Sequence, residues 1–117
     1  MNVITIDNIL VFSHQVWWAK SLNAVYDIDS IRTNSTFMVS GPNSFWGDAF
    51  SLFQTTGKPT YFFAGDIGCW HFIPAYVVNS FDNFHFYASG VGGGKEDNIL
   101  NIKTFELGDI RVEKIDF

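Results

Sequence analysis

The sequence contains little that could cross-link the chain or bind a polyanion. Among 117 residues there is one cysteine, Cys69, which excludes an internal disulfide and a zinc site built on paired cysteines. Lysine and arginine number only seven, they are scattered, and the formal net charge is −5. Because nucleic-acid binding and docking on anionic lipid both require clustered positive charge, neither is expected.

Long apolar runs are also missing. None approaches the roughly 20 residues that a membrane-spanning helix requires, and residues 1–10 show no signal-peptide pattern. The single cysteine fits a reducing compartment, which favours a cytoplasmic location. Aromatic side chains, in contrast, are abundant at 18%, with 13 Phe. Since one small core cannot bury them all, we expect some to line a groove or a contact with another chain.

The order of apolar segments predicts a single α+β domain over residues 1–117, with a β-rich sheet and one or two helices. Strands are predicted at 9–13, 60–64, 84–88, 99–107 and 110–115. The first is a continuous apolar run, which is typical of a strand buried on both faces. The last two alternate and are joined at Gly108-Asp109, so they predict a hairpin. A β-meander is therefore expected after the second strand.

One helix is predicted between the first two strands, and a second one is suggested by a weaker pattern. The first helix begins after a cap at Asn43 or Ser44, and Gly57 and Pro59 end it. Its apolar stripe is formed by Phe45, Ala49, Leu52 and Phe53. The weaker helical stripe lies in residues 14–27, and the polar segment 27–41 is typical of a loop.

Two polar groups follow predicted strands and are candidates for a binding site. His14 follows the first strand, where a side chain leaves the sheet and can bind a metal or move a proton. Asp66 lies between two glycines after the second strand, and glycine permits close approach of the backbone to a ligand. Each residue also has a structural interpretation: a histidine bound to a loop carbonyl, and an aspartate in a tight turn. His71 lies close enough in sequence to reach the same place.

The glycine-rich run at 90–94 does not predict a phosphate-binding loop. A P-loop requires Lys-Ser/Thr followed by a helix, whereas Lys95 is followed by two acidic residues and strands flank the run. We expect a wide connection that passes close to other backbone. His85 alternates with phenylalanines and is expected to lie exposed or half-buried on the opposite sheet face.

Three segments together resemble the C-terminal half of a calcineurin-like metallophosphoesterase. They are ILVFSHQVWW, NSFWGDAFSLFQTTGKPTYFFAGDIG and FHFYASGVGGGKEDNIL. In that family a strand ends in a metal-binding His, a helix returns, and the next strand ends in a Gly-His-x-His motif. His14 matches the first position, and residues 65–68 stand where the second motif would be. The resemblance implies half of a four-layer α/β/β/α sandwich.

The resemblance also implies a site for manganese, iron or magnesium on His14 and Asp66, with His71 behind these ligands or facing the substrate. Asp66 replaces the first His of the family motif, and carboxylate oxygen suits these metals. Gly68 replaces the second His and offers no side-chain ligand. The family's N-terminal motifs, Asp-x-His, Gly-Asp-x-x-Asp and Gly-Asn-His, do not occur in the sequence. Because two-metal hydrolysis holds its ions about 3.5–4 Å apart with many ligands, we expect phosphoester hydrolysis only if an N-terminal half is supplied.

Half of such a sandwich exposes an aromatic sheet face, and self-association would cover it. A homodimer is therefore expected. Two other interpretations stay open: a non-catalytic remnant, and a small binding module for carbohydrate or peptide. In the binding module, the four tryptophans would stack on sugar rings; they are Trp17, Trp18, Trp46 and Trp70.

Overall fold

The fold is described here from a computed structural model, which describes residues 5–18, 45–65, 67–68, 74–91 and 94–117. Six strands are present in this part of the chain: β1 (Ile9–Ser13), β2 (Thr60–Ala64), β3 (Tyr76–Phe81), β4 (Phe84–Ser89), β5 (Asn98–Thr104) and β6 (Ile110–Asp116). A π-helical turn at Phe45–Ala49 continues into the α-helix α1 at Phe50–Thr56. The predicted α+β class, a β-rich sheet with a helix, is confirmed.

Four strands form a mixed sheet in the order β1-β2-β4-β3. β1, β2 and β4 are parallel, and Ser13 lies opposite Ala64, which lies opposite Ala88. β3 is antiparallel to β4 and is joined to it by a two-residue turn in which Asp82 has a φ of 49°. The three parallel strands therefore end together at one edge of the sheet, which we call the carboxyl edge.

Helix α1 packs on one face of this sheet through aromatic side chains. The ring of Phe50 lies 4.6 Å from that of Phe84, and Phe53 meets Phe62 edge-on at 5.1 Å. Every second strand residue points to this face, which explains why Phe62 and Phe86 stack at 5.0 Å and are buried. Gly57 ends the helix in the left-handed conformation, with φ 65°, as predicted. Leu52, in contrast, is 68% exposed, so its predicted place in the apolar stripe is wrong.

The hairpin formed by β5 and β6 lies over the opposite face, which we call the second face. At one end of the hairpin, the Asn8 side chain donates a hydrogen bond of 2.6 Å to the carbonyl of Gly108. At the other end, Lys114 Nζ lies 5.3 Å from the centre of the Tyr76 ring. The predicted hairpin is confirmed, although β5 ends at Thr104 and its connection includes a 3₁₀ turn at Glu106–Gly108.

Several other predictions about the fold are wrong. β5 and β6 form a separate two-stranded sheet, so the expected continuous meander does not exist. The strand β3 was not predicted. β1 is not buried on both faces, since Phe12, which points to the face opposite α1, is 66% exposed.

Two predicted segments lie wholly or partly outside the described residues. Residues 14–18, at the start of the weaker helical segment, form bends and a turn. The structure does not describe the rest of that segment, the predicted loop at 27–41 or the predicted helix cap at Asn43 or Ser44. In the part that it does describe, no helix has the length and apolar character that crossing a membrane requires.

Candidate functional site

The carboxyl edge brings together residues that are distant in sequence. The backbone N–H of Gly65 donates to the carbonyl of His14 at 3.0 Å, so the residues that follow β1 and β2 are direct neighbours. The N–H of Gly90, after β4, donates to the carbonyl of Ala75 at 2.9 Å, and Asn98 N–H donates to Gly90 at 3.2 Å. Five segments of the chain therefore meet at this edge.

Glycine is required at one point of this junction. An ideal Cβ on Gly90 would overlap the carbonyl group of Ile67, so only glycine fits without a shift of the backbone. The expectation that the glycine-rich run passes close to other backbone is thereby confirmed at Gly90. Gly92 and Gly93 lie outside the described residues.

Of the two predicted metal ligands, the structure describes only His14. His14 is exposed at the end of β1, and its backbone is bonded to the residue that precedes Asp66. Asp66, His71 and Cys69 belong to the positions that the structure does not describe. Among the described residues, no three His, Cys, Asp or Glu side chains lie close enough together to bind a metal ion.

Next to this edge, a groove of about 300 Å³ runs between the second face of the sheet and the hairpin. Phe12 and Phe63 form a flat wall on the sheet side, with ring centres 5.2 Å apart and planes inclined by 19°. Leu100 and Ile102 line it on the hairpin side, and Val91 lies at its rim, 65% exposed. The remaining lining residues are Ser13, Ala64, Gly65, Ser89, Asn98 and Ile99.

Ser13, Ser89 and Asn98 supply the polar side chains of the groove lining. The hydroxyl of Ser89 donates to the carbonyl of Asn98 at 2.9 Å. The Nδ2 group of Asn98 donates to the carbonyls of Ala75 at 2.8 Å and Glu96 at 3.0 Å, which holds the start of β5 against the start of β3. The groove therefore has apolar walls and a small buried polar region, a combination that is common in small-molecule sites.

A second polar cluster lies further along the same sheet face. The His85 ring stacks on Tyr61 at 4.5 Å, and its Nδ1 lies 3.1 Å from Ser80 Oγ on the neighbouring strand. Burial lowers the pKa of the His85 imidazole below its ordinary value, because it disfavours the charged ring. Burial and, to a smaller extent, the charge of Asp109 raise the pKa of Tyr61. The predicted half-buried position of His85, opposite its neighbouring phenylalanines, is confirmed.

Two of the four tryptophans that were predicted to stack on sugars are buried. Trp18 and Trp46 are 1% and 8% exposed and belong to the core between α1 and the sheet. The indole N–H of Trp46 donates to the carbonyl of Trp18 at 3.2 Å. Trp17 is half-buried with its ring 5.3 Å from Phe45, and Trp70 lies outside the described residues. The prediction that sugars stack on Trp18 and Trp46 is therefore wrong, because the faces of these two rings are covered.

The groove itself was not identified from the sequence. Its walls come from β1, β2 and β5, and only the packing of the hairpin over the sheet brings these strands together. The one available signal was the surplus of aromatic residues, which predicted a groove or contact without its location. Comparisons of the chain with protein-family models, curated proteins and solved structures found no match.

Proposed function

We propose that this chain is a ligand-binding module whose ligand enters the groove beside the carboxyl edge. The observation that carries this proposal is the apolar lining: Phe12 and Val91 stay exposed to solvent next to a cleft of about 300 Å³. Exposed apolar surface that is concave commonly binds a ligand, because the ligand removes that surface from water. An apolar ligand suits this lining better than the saccharide that the tryptophans suggested.

Two substitutions with similar starting exposure test this proposal. Val91 and Leu52 are 65% and 68% exposed, but Val91 lines the groove and Leu52 lies on α1, on the other side of the sheet. We expect Val91→Asp to weaken binding of the neutral dye Nile red, followed by fluorescence, at least about tenfold, because a charge at the rim opposes apolar contact. Leu52→Asp should leave dye binding unchanged. Equal loss in both variants, or no dye binding by the wild type, would contradict the proposal.

A cation site is the second function that we propose, and the geometry of the carboxyl edge supports it. β1 and β2 are parallel neighbours in register, and Gly65 N–H bonds to His14, so a carboxylate at the next position starts from the same edge as the imidazole. Imidazole and carboxylate together suit manganese, iron or magnesium. His14 and Asp66 would hold the ion, which would supply Lewis-acid chemistry toward a phosphate ester. His71 would lie behind these ligands or face the substrate.

Two ligands hold an ion only weakly, so this proposal predicts weak binding by the chain alone. Hydrolysis of phosphate esters would require further ligands from an N-terminal half, as in the metallophosphoesterases that the sequence resembles. Calorimetric titration with Mn²⁺ tests the site. We expect the wild type to give a small heat of binding, and both His14→Ala and Asp66→Asn to give none. His85→Ala is the matched histidine control and should bind as the wild type does. Tight binding by the wild type, or unchanged binding by His14→Ala, would contradict this assignment.

We also propose that two copies associate around Phe12 at the outer strand β1, so that a second copy and a groove ligand would compete for this ring. Phe12, at the β1 edge, stacks on a buried Phe63 and is itself 66% exposed, so a second copy would remove a large apolar ring from water. Sedimentation equilibrium at micromolar concentration should give the mass of a dimer for the wild type and of a monomer for Phe12→Ser. A monomeric wild type would contradict the proposal.

A further inference from the structure

The outer edge of strand β1 lacks the features that usually prevent a strand from pairing with another chain. In the part of the chain that the structure describes, β1 pairs with β2 on one side and with no strand on the other. Proteins commonly protect such edges with charged residues or proline. The edge strand β6 is protected in this way, since its sequence IRVEKID carries four charges. The sequence of β1, ILVFS, contains neither a charge nor a proline.

The hydrogen bonds of β1 restrict how a second copy could pair with it. Ile9 donates its N–H to the carbonyl of Pro59, which precedes β2, so the odd-numbered residues of β1 bond toward β2. The backbone groups of Asn8, Leu10 and Phe12 therefore point outward, because this direction alternates along a strand. A twofold axis perpendicular to the sheet makes two copies of β1 antiparallel and keeps the second face of both copies on the same side.

The turn of the hairpin places a second exposed apolar side chain at the start of β1. Leu107 is fully exposed, and its backbone is left-handed, with φ 66° and ψ 17°. Leucine rarely adopts this conformation, whereas asparagine and glycine are usual in such turns. The side chain of Asn8 donates to the carbonyl of the next residue, Gly108, at 2.6 Å. An unfavourable and exposed leucine beside an open strand edge suggests a role in a contact.

Leu107 and Phe12 lie at opposite ends of the β1 edge, which suits a symmetric contact. From Asn8 to Phe12 the strand advances by about 13 Å. With the twofold axis at Leu10, Asn8 of each copy lies opposite Phe12 of the other, so each hairpin turn comes beside an exposed ring. The chain has a net charge of −5, and the uncharged strand β1 also lets two copies approach with little local repulsion.

The strand β3, at the other end of the sheet order, is less suited to such a contact. Its sequence, YVVNSF, also lacks charge and proline. Its exposed apolar residue Val78 is 41% exposed, however, compared with 66% for Phe12. The edge of β1 is therefore the one where a second copy would remove the larger apolar ring from water.

We propose that two copies of the chain pair antiparallel along β1, about a twofold axis at Leu10, with Leu107 of each copy against Phe12 of the other. This inference rests on the proposed association of two copies around Phe12, and it adds the register and a second contact residue. The two four-stranded sheets would join into one continuous sheet.

Two substitutions that make the same chemical change test the contact of Leu107. Asparagine suits a left-handed position, so Leu107→Asn should fold at least as well as the wild type. Leu52→Asn is the control, since Leu52 is also mostly exposed but lies on α1, on the other side of the sheet. In sedimentation equilibrium we expect Leu107→Asn to raise the Kd of the dimer at least about tenfold and Leu52→Asn to leave it unchanged.

A filtered NOE experiment on a mixture of ¹³C-labelled and unlabelled wild type tests the register, because it detects only contacts between copies. We expect NOEs between the Leu107 methyl groups and the Phe12 ring of the other copy. We also expect them between the Hα atoms of Ile9 and Val11, which form a non-hydrogen-bonded pair in this register. A dimer that lacks these NOEs, or whose Kd is unchanged in Leu107→Asn, would overturn the inference and leave association around Phe12 intact. A monomeric wild type would overturn both.

Discussion

Gly90, which follows β4, lies directly against the backbone of Ile67, which follows β2. The two segments are 23 residues apart, and any Cβ on Gly90 would overlap the Ile67 carbonyl group. Gly90 also donates its N–H to Ala75 and accepts from Asn98. The same glycine therefore closes the carboxyl edge and places the start of β5 beside the groove.

Replacing Gly90 by alanine should destabilise the fold. The added methyl group would meet backbone atoms that cannot rotate away, and we expect a loss of about 2–3 kcal/mol or more in the free energy of unfolding. Gly94→Ala is the control, since its nearest neighbour would be Asp97 Oδ1 at an ordinary 3.6 Å. Urea denaturation of both variants measures the difference. Similar midpoints for the two would show that the close approach is not needed.

Truncating Phe86 should lower the free energy of unfolding far more than truncating Phe12. Phe86 is 1% exposed and stacks on Phe62, so Phe86→Ala should lower the free energy of unfolding by about 3–5 kcal/mol. Phe12→Ala makes the same chemical change on a ring that is mostly in water in the monomer, and at concentrations too low for the proposed dimer the expected loss is below about 1 kcal/mol. Thermal unfolding by circular dichroism would rank them. A larger effect of Phe12→Ala would contradict the exposure of this ring.

Two asparagines of β5 should differ in their contribution to stability. Asn98→Ala leaves the carbonyls of Ala75 and Glu96 without their donor, and we expect a loss of about 1–3 kcal/mol. Asn101, which is more exposed, makes one long contact of 3.4 Å with Glu113, so Asn101→Ala should change stability by less than about 0.5 kcal/mol. Chemical denaturation gives both values, and equal values would contradict the structural role of Asn98.

The lowered pKa of His85 predicts a dependence of stability on pH. Because burial disfavours the imidazolium in the folded state, the unfolded chain binds a proton first as the pH falls. The wild type should therefore be most stable above the ordinary histidine pKa of about 6.5 and lose stability below it. His85→Phe keeps the ring contact with Tyr61 and cannot titrate, so its stability should fall less between pH 8 and pH 5.5. If the urea midpoints of the wild type and of His85→Phe fall by the same amount across this range, His85 does not cause the pH dependence.

Local patterns predicted most of the elements correctly. Continuous or alternating apolar runs identified β1, β2, β4, β5 and β6, because side-chain direction alternates along a strand whatever its partner. The end of the helix at Gly57 could also be predicted from local sequence, since a residue in the left-handed conformation ends a helix. β3 was missed because the turn at Asp82-Asn83 lacks the glycine that usually marks a two-residue hairpin.

The candidate site was only partly predictable. β1 and β2 end beside each other, as the backbone bond between Gly65 and His14 shows, while the meeting of the His14 and Asp66 side chains stays a prediction. The groove could not be located, because its walls depend on which strands become neighbours. The same reason explains the error about Phe12: an apolar run shows that a strand prefers burial, but not whether both of its faces find cover.

The sequence alone determined the α+β class, the alternation of side chains along β4, β5 and β6 and the hairpin of β5 and β6, since these depend on patterns among residues close in the chain. The strand order β1-β2-β4-β3, the close approach of Gly90 to Ile67 and the hydrogen bond from Asn8 to Gly108 were decided only by tertiary structure. Each of these depends on packing between segments that are far apart in sequence, and no local pattern specifies that packing.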